Sequence, residues 1–282
     1  MLKTPVEKTI AVNEITINYT DSIAGSVPLI FIHGFPFNLS IWNSQVNFLS
    51  EKHRVITYDI RGFGKTSNGF EEPSISLFAE DLIGFMDALK IDKAIVCGLS
   101  MGGYILLNAA TRFPDRFLGL ILADTQCISD TSEVKENRDL TILQILAGGV
   151  EDYAESFVNK VFCKNSLEHK KEVVEYIKDT IISTSTLSLT ETLSALANRN
   201  EICSSLSKIN IPTLVVCGKE DMLTTPAQSQ FLHHSIKNSK LQLIEQAGHL
   251  TNLEQPEIFN KIIFNFITKG YKQQTLLDHQ LI

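Results

Sequence analysis

Near the start of the chain apolar and polar positions alternate: Ile10 and Val12, then Ile15, Ile17 and Tyr19, with Asn13 and Glu14 between the two sets. A period of two is that of a half-buried strand, so residues 9–19 are predicted to form an antiparallel hairpin. The pattern then changes to short, mostly apolar runs at 29–33, 55–59 and 94–97, which lead into Gly34, Gly62 and Gly98. Unbroken runs of this length belong to strands covered on both faces, as parallel sheets require. Between them the spacing becomes helical. Phe78, Leu82, Phe85, Met86 and Leu89 share one face of a helix over 77–90, with Asp81 and Asp87 expected on its outer face. A second helix over 102–112 stops before Pro114, and another apolar run follows at 118–123.

From 128 to 206 strand-like runs are missing, and helix formers and charges take over. Gly148, Gly149 and the Ser/Thr-rich stretch 183–186 punctuate this segment, which predicts three or four helices. Alternation resumes with strands at 213–217 and 241–244 and helices after Pro226 and Pro256. The whole reads as class α/β, a mostly parallel, doubly wound sheet. Residues 1–127 and 207–269 would build it, 128–206 would be a helical cap inserted into it, and 270–282 would be a polar tail.

Composition narrows the chemistry. With 44% hydrophobic and 20% charged residues the chain has the balance of an ordinary globular protein. No run approaches the roughly 20 apolar residues that span a bilayer. The first residues lack a secretory signal, so a cytoplasmic location is expected. A net charge of -7 without a Lys/Arg cluster argues against nucleic acid or an anionic membrane as partner. Cys97, Cys127, Cys163, Cys203 and Cys217 are odd in number and lack C-x-x-C spacing. They are read as buried, reduced thiols rather than a disulfide framework or zinc site. Small-molecule chemistry remains, with the oligomeric state open.

The sharpest local signal is Gly98-Leu99-Ser100-Met101-Gly102, placed directly after a buried strand and before a helix. A G-x-S-x-G turn holds its serine in a strained conformation that exposes Oγ, and its crowded backbone requires residues without side chains on either side. The following helix adds N–H groups and the positive end of its dipole. A serine hydroxyl needs an adjacent base. His249 is the candidate, because it follows Gly248 at the end of the last strand; His53, His169, His233 and His234 lack such a setting. Asp221, just past the strand 213–217, is the candidate to orient the imidazole, with Asp124 and Glu220 as competitors. Two N–H donors should stabilise the oxyanion: Met101, next after the nucleophile, and Phe35, in the loop His33-Gly34-Phe35-Pro36. His33 is read as a brace of that loop. Phe35, Met101 and Trp42 are candidates to line the substrate pocket.

In order along the chain, His33-Gly34-Phe35-Pro36, the segment Asp59-Ile60-Arg61-Gly62-Phe63-Gly64-Lys65-Thr66-Ser67, Gly98-Leu99-Ser100-Met101-Gly102-Gly103, Gly218-Lys219-Glu220-Asp221 and Gly248-His249 resemble the α/β-hydrolase superfamily. The resemblance implies the α/β-hydrolase fold, a triad in the order Ser100, Asp221, His249, and a scaffold role for Arg61. Leu122-Ala123-Asp124-Thr125 and the residues after His249 are similar to those of bacterial carboxylesterases and enol-lactonases. Haloalkane dehalogenases and epoxide hydrolases are similar too but carry an aspartate where this chain has Ser100. The activity expected is hydrolysis of a small-molecule ester or lactone through an acyl-enzyme, with no metal or organic cofactor. Carbon–carbon bond hydrolysis or perhydrolysis by the same triad are alternatives, as is a small-molecule receptor with slow turnover.

Overall fold

The N-terminal hairpin turns where the alternation breaks. Strands β1 (Glu7–Val12) and β2 (Ile15–Asp21) pair antiparallel with Val12 opposite Ile15. The two turn residues, Asn13 and Glu14, both have positive φ, at 45° and 62°, as a two-residue hairpin turn with matching twist requires. This computed structural model describes residues 6–22, 25 and 27–278, with side chains as far as 268.

The buried runs become β3 (Pro28–Ile32), then, after α1 (Asn43–Leu49), β4 (Arg54–Tyr58). Helix α2 (Ile75–Ala88) leads to β5 (Ala94–Leu99), and α3 (Met101–Arg112) to β6 (Phe117–Ala123). Five helices come next: α4 (Ser132–Leu146), α5 (Val150–Val161), α6 (Lys164–His169), α7 (Lys171–Ile182) and α8 (Thr186–Ala197). The chain then resumes with β7 (Thr213–Gly218), α9 (Pro226–Ser235), β8 (Ser239–Ile244), α10 (Thr251–Glu254) and α11 (Pro256–Asp278). Strand order in the single sheet is β1-β2-β4-β3-β5-β6-β7-β8; β2 runs antiparallel to both its neighbours, β1 and β4, and the remaining pairs are parallel. Every residue of β3, β5 and β7 is buried, so helices cover both faces of the sheet centre. One group pairs α2 with α3, and another gathers α1, α10 and α11. No helix among the described residues is long and apolar enough to cross a membrane.

Several expectations are corrected. The segment between β6 and β7 holds five helices rather than three or four, because α6 and α7 are separated by only one residue, Lys170, whose non-helical backbone leaves no sequence signal. Helix α11 continues to Asp278, so the stretch read as a tail begins inside a helix; residues 279–282 lie outside the described residues. Asp81 does not face solvent. It is 2% exposed and accepts from Arg61 Nε and Nη2, both at 2.8 Å, a bidentate pair that satisfies both ions away from water. Cys127 and Cys203 are not reduced thiols but form a disulfide with Cα atoms 5.0 Å apart. The helices leave the sheet after β6 and return before β7, so two cysteines 76 positions apart meet at the neck. Ile202 N–H donates to Cys127 O at the same place, 2.9 Å away. Cys97, Cys163 and Cys217 are free and buried.

Candidate active site

The turn after β5 has a steric cause. A Cβ at Gly98 would sit 2.3 Å from Gly102 O, and one at Gly102 would sit 2.5 Å from Ile32 O, so side chains at either position would force the turn apart from itself or from β3. Ser100 between them has φ 54° and ψ −115°, a conformation costing about 1–3 kcal/mol that surrounding bonds must hold. Its N–H donates to Ala123 O at 2.9 Å, and its carbonyl accepts from Gly103 N–H, Tyr104 N–H and Thr125 Oγ1. Ser100 occupies the N-cap position of α3 without capping it, so Oγ is free for another partner.

That partner is His249. Its Nε2 lies 2.8 Å from Ser100 Oγ, and its Nδ1 lies 2.8 Å from Asp221 Oδ2. Asp221 is in turn fixed by its own turn: Oδ1 accepts from Leu223 and Thr224 N–H at 2.8 and 3.0 Å, and Oδ2 from Thr224 Oγ1 at 2.8 Å. Burial opposes charge on both groups. At His249 the Asp221 charge and hydrogen bond outweigh burial and hold the imidazole pKa above its usual value. At Asp221, burial is outweighed by His249 and by the Thr224 bonds, which keep the carboxyl below its usual range. The geometry therefore favours a proton on Nδ1 and a lone pair on Nε2 facing the serine.

Asp124, the competing carboxylate, does something else. Its Oδ1 accepts from Gly218 N–H at 3.0 Å, and its Oδ2 from Thr251 N–H and Oγ1 at 3.2 and 2.6 Å. It thus clasps the end of β7, which leads to Asp221, to the loop that carries His249. Burial first, and then the neighbouring Asp221 charge, push its pKa well up. Asp124, Cys217 and Asp221 bring donor atoms within 4.8 Å of one another. Each of those carboxylate oxygens already has a protein donor, and the Cys217 thiol, its pKa raised by burial, points to Gly218 O and Thr224 O. These residues are committed as a clasp rather than arranged as free ligands.

Sequence reasoning assigned no role to Glu254, a fully buried carboxylate. Its Oε1 accepts from Gly248 and Leu250 N–H at 2.7 and 3.2 Å, on either side of His249, and its Oε2 from Cys163 N–H at 2.8 Å. His249 N–H itself donates to Val161 O at 2.7 Å. The available signal was a glutamate five residues after the histidine, beyond Leu250-Thr251-Asn252-Leu253. His33 accepts from Ile60 N–H through Nε2 at 2.9 Å and contacts Gly34 O through Nδ1 at 2.9 Å. Burial pushes its pKa down to about 4, which suits a neutral brace of the 33–36 loop.

A cavity of about 550 Å³ opens over Ser100 and His249. Phe35 and Met101 line it, and among the described residues neither backbone N–H has an acceptor. Arg138, Tyr153, Phe157 and Leu193, from the helices between β6 and β7, also line it. Trp42 does not. It is fully buried, with ring centroids 5.0 Å from Phe31 and 6.2 Å from Phe259, so it packs α11 against the sheet, and its candidacy for the pocket is withdrawn. His53, His169, His233 and His234 lie outside the cavity lining.

The chain is similar to known proteins over most of its length. A 3-oxoadipate enol-lactonase of Acinetobacter baylyi is 32% identical, covering 90% of this chain and 94% of the relative. Among solved structures, a thermophilic esterase from Thermogutta terrifontis superposes with a TM-score of 0.89 at 30% identity, covering 94% of this chain and 99% of the other. The enol-lactonase from Burkholderia xenovorans LB400 does so with a TM-score of 0.86 at 27% identity, over 93% and 100%. The family model for the alpha/beta hydrolase fold matches residues 27–256, from the first parallel strand to the start of α11, and the chain belongs to that family.

Proposed function

We propose that the protein hydrolyses a small-molecule carboxylic ester or lactone through an acyl-enzyme, with Ser100 as nucleophile, His249 as general base and acid, and Asp221 as the orienting carboxylate. The observation that carries this reading is the continuous chain of contacts Ser100 Oγ–His249–Asp221, each 2.8 Å long, at the floor of a cavity. In the first step His249 Nε2 takes the proton of Ser100 as Oγ attacks the carbonyl carbon. Charge gathers on the carbonyl oxygen, where the N–H groups of Phe35 and Met101 stabilise it; one such donor is worth about 10²–10³ in rate. His249 then protonates the departing alcohol, which for a lactone stays tethered to the acyl group. In the second step a water gives its proton to the same imidazole and attacks the acyl carbon; the Oγ–acyl bond breaks, His249 Nε2 returns the proton to Ser100 Oγ, and the acid is released. The enol-lactonase and esterase activities named for the relatives support this bond type. The residues 128–206 act in this reading as a cap whose helices roof the substrate.

The test is hydrolysis of a panel of nitrophenyl esters and lactones by the wild type and Ser100→Ala, side by side. Turnover that disappears in the variant is expected. Turnover that survives in Ser100→Ala, or a wild type inert on the whole panel, refutes the proposal.

A further inference from the structure

The cavity holds more positive charge than the chemistry at Ser100 uses. Arg138 on α4 and Lys160 on α5 both line it, and Asp130 is the sole acidic residue among the lining residues. That carboxylate is committed twice. Its Oδ2 accepts from Arg138 Nε at 2.5 Å, and its Oδ1 pairs at 2.7 Å with Nη1 of Arg199, a buried residue whose guanidinium also donates to Leu196 O and Ile128 O. One negative charge therefore faces two guanidinium groups, and Lys160 adds a further positive charge. Among the described residues, neither terminal nitrogen of Arg138 nor Lys160 Nζ has a protein acceptor.

The way Arg138 is held matters. Anchored through Nε, the planar group keeps Nη1 and Nη2 for a second partner, and two N–H donors in a fixed fork match a carboxylate. Tyr153, buried beside it and close enough to feel its charge, lines the same cavity and has no hydrogen-bond partner for its hydroxyl among the described residues. The same cavity is also lined by the apolar side chains of Phe35, Phe157 and Leu193. Methylene groups of a substrate would pack against these side chains more favourably than water does.

We propose that Arg138 and Lys160 form a carboxylate-binding subsite, so that the preferred substrates are esters or lactones whose acyl part ends in a free carboxylate. This rests on the reading of Ser100 as nucleophile, which defines where the acyl carbonyl sits. A bidentate arginine partner fixes the far end of the chain and thereby which carbonyl reaches Ser100, while Lys160 adds attraction at the more exposed rim.

The experiment compares 4-nitrophenyl hydrogen adipate with 4-nitrophenyl hexanoate, which has the same chain length and no charge. kcat/KM is measured for the wild type, Arg138→Met, Arg138→Lys and Lys160→Gln. Hydrogen bonds to charged groups of the usual strength predict a wild-type preference for the anionic ester of about 10- to 100-fold. Arg138→Met should bring the ratio close to one, Arg138→Lys should restore part of it, and added salt should shrink the share due to exposed Lys160. Because Arg138 also bonds Asp130, Lys160→Gln serves as the variant that removes charge without breaking a protein contact, and it too should lower the ratio. Adipate binding by calorimetry provides a readout independent of turnover, and should weaken in Arg138→Met. A wild type that treats the two esters alike, or a ratio unmoved in both Arg138→Met and Lys160→Gln, overturns the subsite while leaving the hydrolase intact. Hydrolysis of neither ester refutes the hydrolase, and adipate binding then still decides whether the subsite exists.

Discussion

Asparagine at position 221 should stop turnover with little loss of fold, whereas asparagine at 124 should loosen the fold with little loss of turnover. At 221 the reason lies in four hydrogen bonds. To keep accepting from Leu223 and Thr224 N–H, the amide oxygen must take the Oδ1 place, which turns Nδ2 toward His249 Nδ1. Two donors then face each other, the imidazole shifts its proton to Nε2, and the lone pair that would take the Ser100 proton is lost. Wrong-tautomer variants of such triads fall about 10⁴-fold in kcat, or about 5.5 kcal/mol in barrier. At 124 the carboxylate bonds Gly218 N–H and Thr251 but makes no hydrogen bond to His249, and an asparagine can satisfy only one of those two loops. Losing one buried bond of this kind costs about 2 kcal/mol, which for a chain of this size lowers Tm by about 3–4 °C. Steady-state hydrolysis of a 4-nitrophenyl ester and thermal unfolding, run on both variants, check the pair. A loss of about 10³-fold or more in Asp124→Asn, with Asp221→Asn near wild type, would exchange the roles of the two carboxylates and refute the argument.

Two further outcomes follow from the same contacts. His249 must be neutral to act as base, and Asp221 holds its pKa above the histidine reference of about 6.5, so kcat/KM should fall on acidification with a midpoint above that value; residual activity of Asp221→Asn should show a lower midpoint, because burial then acts with less opposition, and a rate flat across this range would count against the base. The Cys127–Cys203 bridge closes a loop with a sequence separation of 76, for which the chain-entropy model gives about 4.5 kcal/mol; denaturant unfolding of a Cys127→Ser/Cys203→Ser double variant should show a loss of that order or smaller, and an unchanged midpoint would contradict a stabilising role.

The parts of the fold that were legible in the sequence are those in which one residue's environment is set by its near neighbours. The runs that became β3, β5, β6 and β7 are apolar because both faces of each strand are covered, and the Gly-x-Ser-x-Gly turn is legible because its sterics act within five residues. What was not legible depends on partners distant in sequence. Asp81 sits among helical apolar positions, and the arrival of Arg61, with Asn13 Nδ2 as a further donor, explains its burial. Cys127 and Cys203 meet because five helices depart and return, and an odd count with three unpaired thiols concealed the pair. Trp42 belongs to the core through Phe31 and Phe259, one from a strand and one from the last helix. At the site, Ser100, Asp221 and His249 could each be singled out from a local turn, but Glu254 and Asp124 support the site by accepting from backbone N–H groups, which no side-chain pattern records. Arg138 was passed over for the same reason, since a cationic residue in a polar helix resembles any solvated one until Asp130 and the cavity are beside it.

The most direct test of the central claim is to trap the acyl-enzyme. The protein would be mixed with a slowly deacylating 4-nitrophenyl ester, quenched in acid and mapped by mass spectrometry, with Ser100→Ala in parallel. The account predicts one acyl group per chain, on the peptide containing Ser100, formed at the rate of the nitrophenol burst and missing from the variant. Acylation at another residue, or a burst in Ser100→Ala equal to that of the wild type, would contradict it.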